Sequence, residues 1–134
     1  MTTLASMMCS AMLGAVVFSA AGQADCLSQG SGYMYTYTTC VAGSLPCDDG
    51  RLGARGTQVL IISNVFHDNG GNDEYPSSVF YRELTNHGLP SANARESHCY
   101  SSAAEAEAGV REHMARHVRL NQQQQIFRIS MPNT

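Results

Sequence analysis

Apolar and polar positions recur with two different periods along this chain, and the periods predict where its strands and helices lie. Between residues 31 and 39, aromatic and β-branched side chains occupy alternate positions, which is the pattern of a strand. Between residues 57 and 66, the run of Val59, Leu60, Ile61 and Ile62 is continuous, which favours a central strand with both faces covered. Ile126, Phe127 and Ile129 predict a final strand after a glutamine-rich connector.

Two helices are predicted between the second and third strands. The first begins near Pro76, whose ring favours the first helical turn, and ends at Gly88. The second begins after Ser102, because Ser102 and Glu105 have the spacing of a capping box, which satisfies free backbone donors. Its apolar face at helical spacing comprises Ala103, Ala106, Val110, Met114 and Val118.

The element order strand–strand–helix–helix–strand predicts an α+β domain. The economical arrangement is a small three-stranded sheet with the two helices packed on one face. The segment between residues 40 and 56 is rich in glycine and is expected to be a loop held by its cysteines. The chain shows no internal repeat and no break in composition, which indicates a single domain.

Length and charge narrow the class of protein. The chain has 134 residues and a mass of 14.4 kDa, which is enough for one small domain. Its formal net charge is -3, and all 8 of its positive side chains are arginines. A nucleic-acid-binding protein usually presents a basic surface, and no nucleic-acid partner is therefore expected.

The first 24 residues have the outline of a secretory signal peptide. They carry no charged side chain, and the apolar residues 11–18 precede small residues up to Ala24. Cleavage after Ala24 leaves residues 25–134 as one exported domain, periplasmic or secreted, with no stable membrane anchor. The alternative is an uncleaved anchor, which needs about 18 or more apolar residues and is disfavoured by the serine, glycine and glutamine content here.

The cysteines of the predicted mature chain indicate two disulfide bonds. They are Cys26, Cys40, Cys47 and Cys99. An even number of cysteines in an exported chain is typical of a disulfide framework, and the pattern leaves all three possible pairings open. A zinc site is the alternative, but the chain lacks the Cys-x-x-Cys spacing that such sites commonly use.

Histidines supply the candidate metal and catalytic chemistry. His113 and His117 lie four residues apart on the predicted second helix, a separation that lets two imidazoles share one metal ion. The glutamate of a His-Glu-x-x-His site is missing, and this pair predicts at most weak metal binding. A small exported hydrolase using His67, His98 or His117 is a further alternative, and Ser63, His67 and Asp68 form its only recognisable grouping.

Three alternating tyrosines form the best candidate binding surface. Tyr33, Tyr35 and Tyr37 share one face of the first strand, either as core or as an exposed platform for a protein or a sugar. We expect a non-enzymatic exported binding domain, inhibitor-like or immunity-like, that contacts its partner through these tyrosines or through residues 67–75. No cofactor is expected.

One resemblance supports the predicted compartment. The run from Ile62 to Phe66, a helix, then Cys99 and the alternating Ala/Glu residues 104–108 resemble small exported bacterial proteins of unknown function. The similarity covers roughly residues 57–130. It implies an exported α+β domain and no particular activity.

Overall fold

The computed structural model describes residue 26 and the ranges 30–48, 50–71, 76–90 and 93–134. The predicted signal peptide, residues 1–24, lies outside the described residues. Among the described helices, none has the length and apolar content needed to cross a lipid bilayer.

The described chain contains six strands, two α-helices and one short 3-10 helix at Gly50–Leu52. The strands are β1 (Gly32–Met34), β2 (Thr36–Val41), β3 (Gln58–Ser63), β4 (Phe66–Asp68), β5 (Arg95–Glu96) and β6 (Gln124–Ile129). The helices are α1 (Ser77–Asn86) and α2 (Ala103–Leu120). The protein is therefore an α+β domain, as the element pattern predicted.

The prediction of one three-stranded sheet is wrong, because the described strands form a sheet of four and a sheet of two. The larger sheet has the order β5-β2-β3-β6, and β1 pairs with β4 in the smaller one. β3 is antiparallel to β2 and parallel to β6, which makes the larger sheet mixed. Each long strand predicted from the sequence is split in two, and the halves belong to different sheets.

The prediction that both helices pack on one face is also wrong, because they lie on opposite faces of the larger sheet. In β3, Val59 and Ile61 pack into the cluster that contains Phe80 and Leu84 of α1. The alternate residues Leu60 and Ile62 pack into the cluster that contains Val110 of α2. Since successive side chains of a strand point to opposite faces, α1 and α2 sandwich the sheet.

The boundary between the two sheets is a local change of register. Met34 lies opposite Phe66 and Tyr37 opposite Ile62, which leaves two residues between these pairs on one strand and three on the other. A side chain repairs the interrupted ladder, since the buried hydroxyl of Ser63 accepts a hydrogen bond from the N–H of Thr36 at 3.0 Å. The extra residue thus bends the hairpin without leaving that backbone donor unsatisfied.

The structure pairs Cys26 with Cys99 and Cys40 with Cys47. Their Cα atoms lie 5.0 Å and 6.0 Å apart, within the range that a disulfide requires. The first pair joins the beginning of the described chain to the segment before α2, and the second closes a short loop after β2. Two disulfides are compatible with an oxidising compartment.

The N-cap predicted at Ser102 is confirmed, while the Glu105 carboxylate accepts from the Ser101 and Ser102 hydroxyls. The helix begins at Ala103, and the Ser102 hydroxyl oxygen accepts a hydrogen bond from the Glu105 N–H at 3.2 Å. The predicted apolar face differs at both ends, because Ala103 is exposed and Val118 is 50% exposed, while His117 is partly buried. The side chains that face the sheet therefore include histidines as well as aliphatic residues.

The two disulfides are expected to stabilise the fold unequally. Cys26 and Cys99 are 73 residues apart in sequence, whereas Cys40 and Cys47 are 7 apart. Loop-closure entropy then predicts a loss of about 4 kcal/mol for the Cys26→Ser/Cys99→Ser variant and about 2.5 kcal/mol for Cys40→Ser/Cys47→Ser. Urea unfolding of the wild type and of the two double variants measures the free energy of unfolding. A larger loss in Cys40→Ser/Cys47→Ser than in Cys26→Ser/Cys99→Ser would contradict the expected order.

Candidate functional site

A connected row of aromatic rings lies between α2 and the larger sheet. In order of contact, this aromatic row comprises His98, Tyr100, Tyr35, His113 and Tyr37. Neighbouring ring centroids are 3.9 Å to 6.4 Å apart. Tyr35 is 6% exposed, whereas Tyr37, Tyr100 and His113 are half-buried. The row is buried at its centre and reaches solvent towards both ends.

His113 and Tyr35 hold the centre of the row. The Tyr35 hydroxyl lies 3.1 Å from His113 Nδ1, and the Tyr37 ring meets the same imidazole edge-on with centroids 4.3 Å apart. Burial lowers the pKa of His113, and the neighbouring charges of Arg116 and His117 lower it further. Burial, with the adjacent Tyr100, raises the pKa of Tyr35. Both groups are therefore neutral near pH 7, and the Tyr35 hydroxyl and Nδ1 of His113 share one hydrogen bond.

Gly109 lets the row approach the helix closely. A Cβ atom at this position would overlap the Tyr100 hydroxyl and lie 2.9 Å from Tyr100 Cζ. The glycine therefore replaces a better helix former because the Tyr100 ring occupies the space beside the backbone.

The third predicted tyrosine contacts a different histidine. Tyr33 is half-buried and meets the His67 ring edge-on, with centroids 5.1 Å apart. The adjacent Met34 packs into the cluster with α1, and Tyr33 therefore points to the side of α2, as Tyr35 and Tyr37 do. The three tyrosines thus share one side of the molecule, although only Tyr33 and Tyr37 present ring surface to solvent.

The two histidines proposed as metal ligands are already bonded to protein groups. His117 Nε2 lies 3.0 Å from the carbonyl oxygen of Gln58, which requires that nitrogen to carry its proton. His113 Nδ1 is hydrogen-bonded to the Tyr35 hydroxyl, as described above. Within the described ranges, no three histidine, cysteine or carboxylate side chains gather in the way a metal ion needs.

The residues considered for hydrolysis also have separate partners. The buried Ser63 hydroxyl donates to the Asn64 carbonyl at 2.7 Å, and the Asp68 carboxylate accepts from the Gly70 N–H at 2.9 Å. His67 Nδ1 lies 2.7 Å from the main-chain oxygen of Thr134. In these contacts none of the three side chains bonds to either of the others, and the ring of the exposed His98 packs against Tyr100 at an interplanar angle of 42°.

Sequence analysis missed Tyr100 and the position of His113. Tyr100 lies outside every predicted element, and its main chain pairs with Tyr33 through hydrogen bonds of 2.9 Å and 2.7 Å. The sequence pattern offered His113 only as a possible metal ligand, whereas the structure packs its ring against Tyr35 and Tyr37. Gly109 was the available signal, since a glycine within a strong helix commonly marks a close approach.

Comparison of the chain with protein-family models, with curated proteins and with solved structures found no significant match. The resemblance to small exported bacterial proteins therefore stays a prediction, and no relative's activity transfers to this chain.

Replacing Gly109 with alanine is expected to destabilise the protein, although this change usually strengthens a helix by about 1 kcal/mol. The overlap with Tyr100 would dominate, lowering the free energy of unfolding by about 1–2 kcal/mol. In a Tyr100→Leu background the ring is gone, and Gly109→Ala should become stabilising. Chemical unfolding measures the effect of Gly109→Ala on the unfolding free energy in both backgrounds. Stabilisation in the wild-type background would contradict the close approach of the Tyr100 ring to Gly109.

The His113 environment predicts a pH dependence of stability. Its folded-state pKa lies below the ordinary value of 6.5, whereas the unfolded chain titrates near that value. Its contribution to stability is therefore present above about pH 6.5 and is lost as the pH falls, because the unfolded state binds the proton first. His113→Gln keeps an acceptor for Tyr35 without titrating.

Unfolding free energies of wild type and His113→Gln, measured at about pH 7.5 and 5.5, test this dependence. The wild type should lose more stability than the variant on acidification. Equal losses would show that His113 titrates as it does in the unfolded chain.

Proposed function

We propose that this chain is a non-enzymatic binding domain that recognises a protein partner through Tyr33 and Tyr37. One observation carries the proposal: both tyrosines are half-buried on the same side of the molecule, and each has an imidazole packed edge-on against it. The likeness to an inhibitor or an immunity protein follows from its small size and its disulfides.

Fixed tyrosines are well suited to binding proteins. A tyrosine supplies a large apolar ring and a polar hydroxyl, and it loses little conformational freedom when its ring is already held by neighbours. His67 holds Tyr33, and His113 together with the buried Tyr35 holds Tyr37. Energetically dominant positions in protein interfaces are enriched in tyrosine for these reasons.

The ring orientations favour a protein over a carbohydrate. A sugar stacks on a flat aromatic face, whereas Tyr33 and Tyr37 make interplanar angles of 72° and 74° with their histidines. Tyr35 and Tyr37 are also tilted by 39° relative to each other. Rings inclined in this way do not form one flat platform, and such an uneven surface suits the side chains of a protein better than the apolar face of a sugar.

The hydrogen bonds of the histidines support binding rather than hydrolysis. A general base needs a free imidazole nitrogen, and both ring nitrogens of His117 have protein partners, the Gln58 carbonyl at Nε2 and the Asn121 side-chain amide 3.5 Å from Nδ1. His67 and His117 donate to main-chain oxygens in separate parts of the fold. The two disulfides support an oxidising compartment, and we place the binding site in the periplasm or outside the cell.

Capture followed by quantitative binding tests the proposal. The purified chain serves as bait in the exported fraction of its source cells, and the captured protein is purified for calorimetry. Tyr33→Ala and Tyr37→Ala should each weaken binding at least about tenfold, or about 1.4 kcal/mol. Leu45→Ala is the matched control, since Leu45 is 82% exposed but lies in the Cys40–Cys47 loop.

Two results would contradict the proposal. One is unchanged affinity of both tyrosine variants while their circular dichroism shows an intact fold. The other is loss of binding in Leu45→Ala alone, which would move the interface to the disulfide loop.

A further inference from the structure

One long edge of the larger sheet has no neighbouring strand among the described residues. The sheet ends at β6, which has six residues, whereas β5 at the opposite edge has only two. An open strand edge presents unpaired N–H and C=O groups, which readily pair with another strand. This edge is separate from the tyrosine surface of the proposed function.

The hydrogen bonds to β3 identify which β6 groups face outward. Gln58 N–H donates to the Gln123 carbonyl at 2.9 Å, and Asn64 N–H donates to the Ile129 carbonyl at 3.1 Å. Odd-numbered residues of this segment therefore direct their backbone groups to β3. Because backbone direction alternates along a strand, Gln124, Ile126 and Arg128 direct theirs away from the sheet.

The β6 edge lacks the features that usually prevent strand pairing. β6 contains neither proline nor glycine, and its single charged residue is Arg128. The Arg128 guanidinium donates to the main-chain oxygens of Ile62 at 3.3 Å and Ser63 at 3.2 Å, which turns it back over its own sheet. The guanidinium is thus held on the α2 face of the sheet, beside Met114, and does not project across the open backbone edge.

Apolar side chains border this edge on both sides of the sheet. On the α2 side, Ile126 of β6 and Met114 of α2 are partly buried, and Val118 of α2 is 50% exposed. Phe127 is partly buried on the α1 side. A strand added at this edge would cover all four.

We infer that β6 pairs with β6 of a second copy of this chain, in antiparallel orientation about a two-fold axis at Ile126. This register places Ile126 opposite Ile126 of the second copy and Gln124 opposite Arg128. All three outward-facing residues then form hydrogen-bonded pairs, which gives about six hydrogen bonds at two per pair.

The register explains why a second copy fits better than an unrelated strand. The pairing is self-complementary, since Ile126 meets its own equivalent and neither Arg128 faces another positive charge. The opposite edge of the sheet is too short to continue the assembly in the same way. Two-fold pairing therefore covers the long edge of both copies. The assembly ends as a dimer with one continuous eight-stranded sheet.

Sedimentation equilibrium of the purified chain tests the dimer. Between about 1 and 100 μM, the wild type should approach twice the mass of one chain, as expected for micromolar affinity. Gln124→Pro should be monomeric yet folded, because the lost N–H points away from β3 and proline is tolerated at such an edge. Gln125→Ala is the control, since its backbone groups already bond to β3, and it should remain dimeric.

A charge exchange at the same position tests the register. Gln124→Glu places a carboxylate opposite Arg128 of the second copy and should tighten the dimer, whereas Gln124→Arg should weaken it by a similar factor of about two to five. A monomeric wild type at the highest concentration would overturn the inference. An equally tight dimer in Gln124→Pro, or no difference between the two charge variants, would do the same.

Discussion

The four apolar side chains of β3 must be covered on both faces, and the arrangement of the whole domain depends on this requirement. Val59, Leu60, Ile61 and Ile62 are all fully buried, and burying each contributes roughly 1.5–3 kcal/mol. One helix cannot cover both faces of a sheet, because alternate side chains point in opposite directions. α1 therefore covers Val59 and Ile61, and α2 covers Leu60 and Ile62.

The candidate site results from where α2 must lie. With Val110 packed over Leu60 and Ile62, the helix turns His113 towards β2 and His117 towards the start of β3. Gly109 then faces Tyr100, whose ring fills the space beside the helix backbone. The same packing that buries the core thus holds the aromatic row, including the half-buried Tyr37 of the proposed binding surface.

Several elements could be predicted because local chemistry determines them. The capping box specified the start of α2, and the apolar run specified the buried strand. The wrong prediction that both helices pack on one face was avoidable. A central strand with both faces covered already implied one helix on each side of the sheet. The division into two sheets was not predictable, because one inserted residue between Phe66 and Ile62 causes it. Tyr100 joins the site through tertiary contacts, which include those with Tyr33, Tyr35 and Gly109.

Nuclear Overhauser contacts from the methyl groups of β3 distinguish helices on opposite faces of the sheet from helices on one face. We expect contacts from Ile61 to the Phe80 ring of α1, and contacts from Leu60 and Ile62 to the Val110 methyls of α2. Neither helix should contact both sets of residues. Contacts from Phe80 and Val110 to the same β3 side chain would contradict the account, because both helices would then lie on one face.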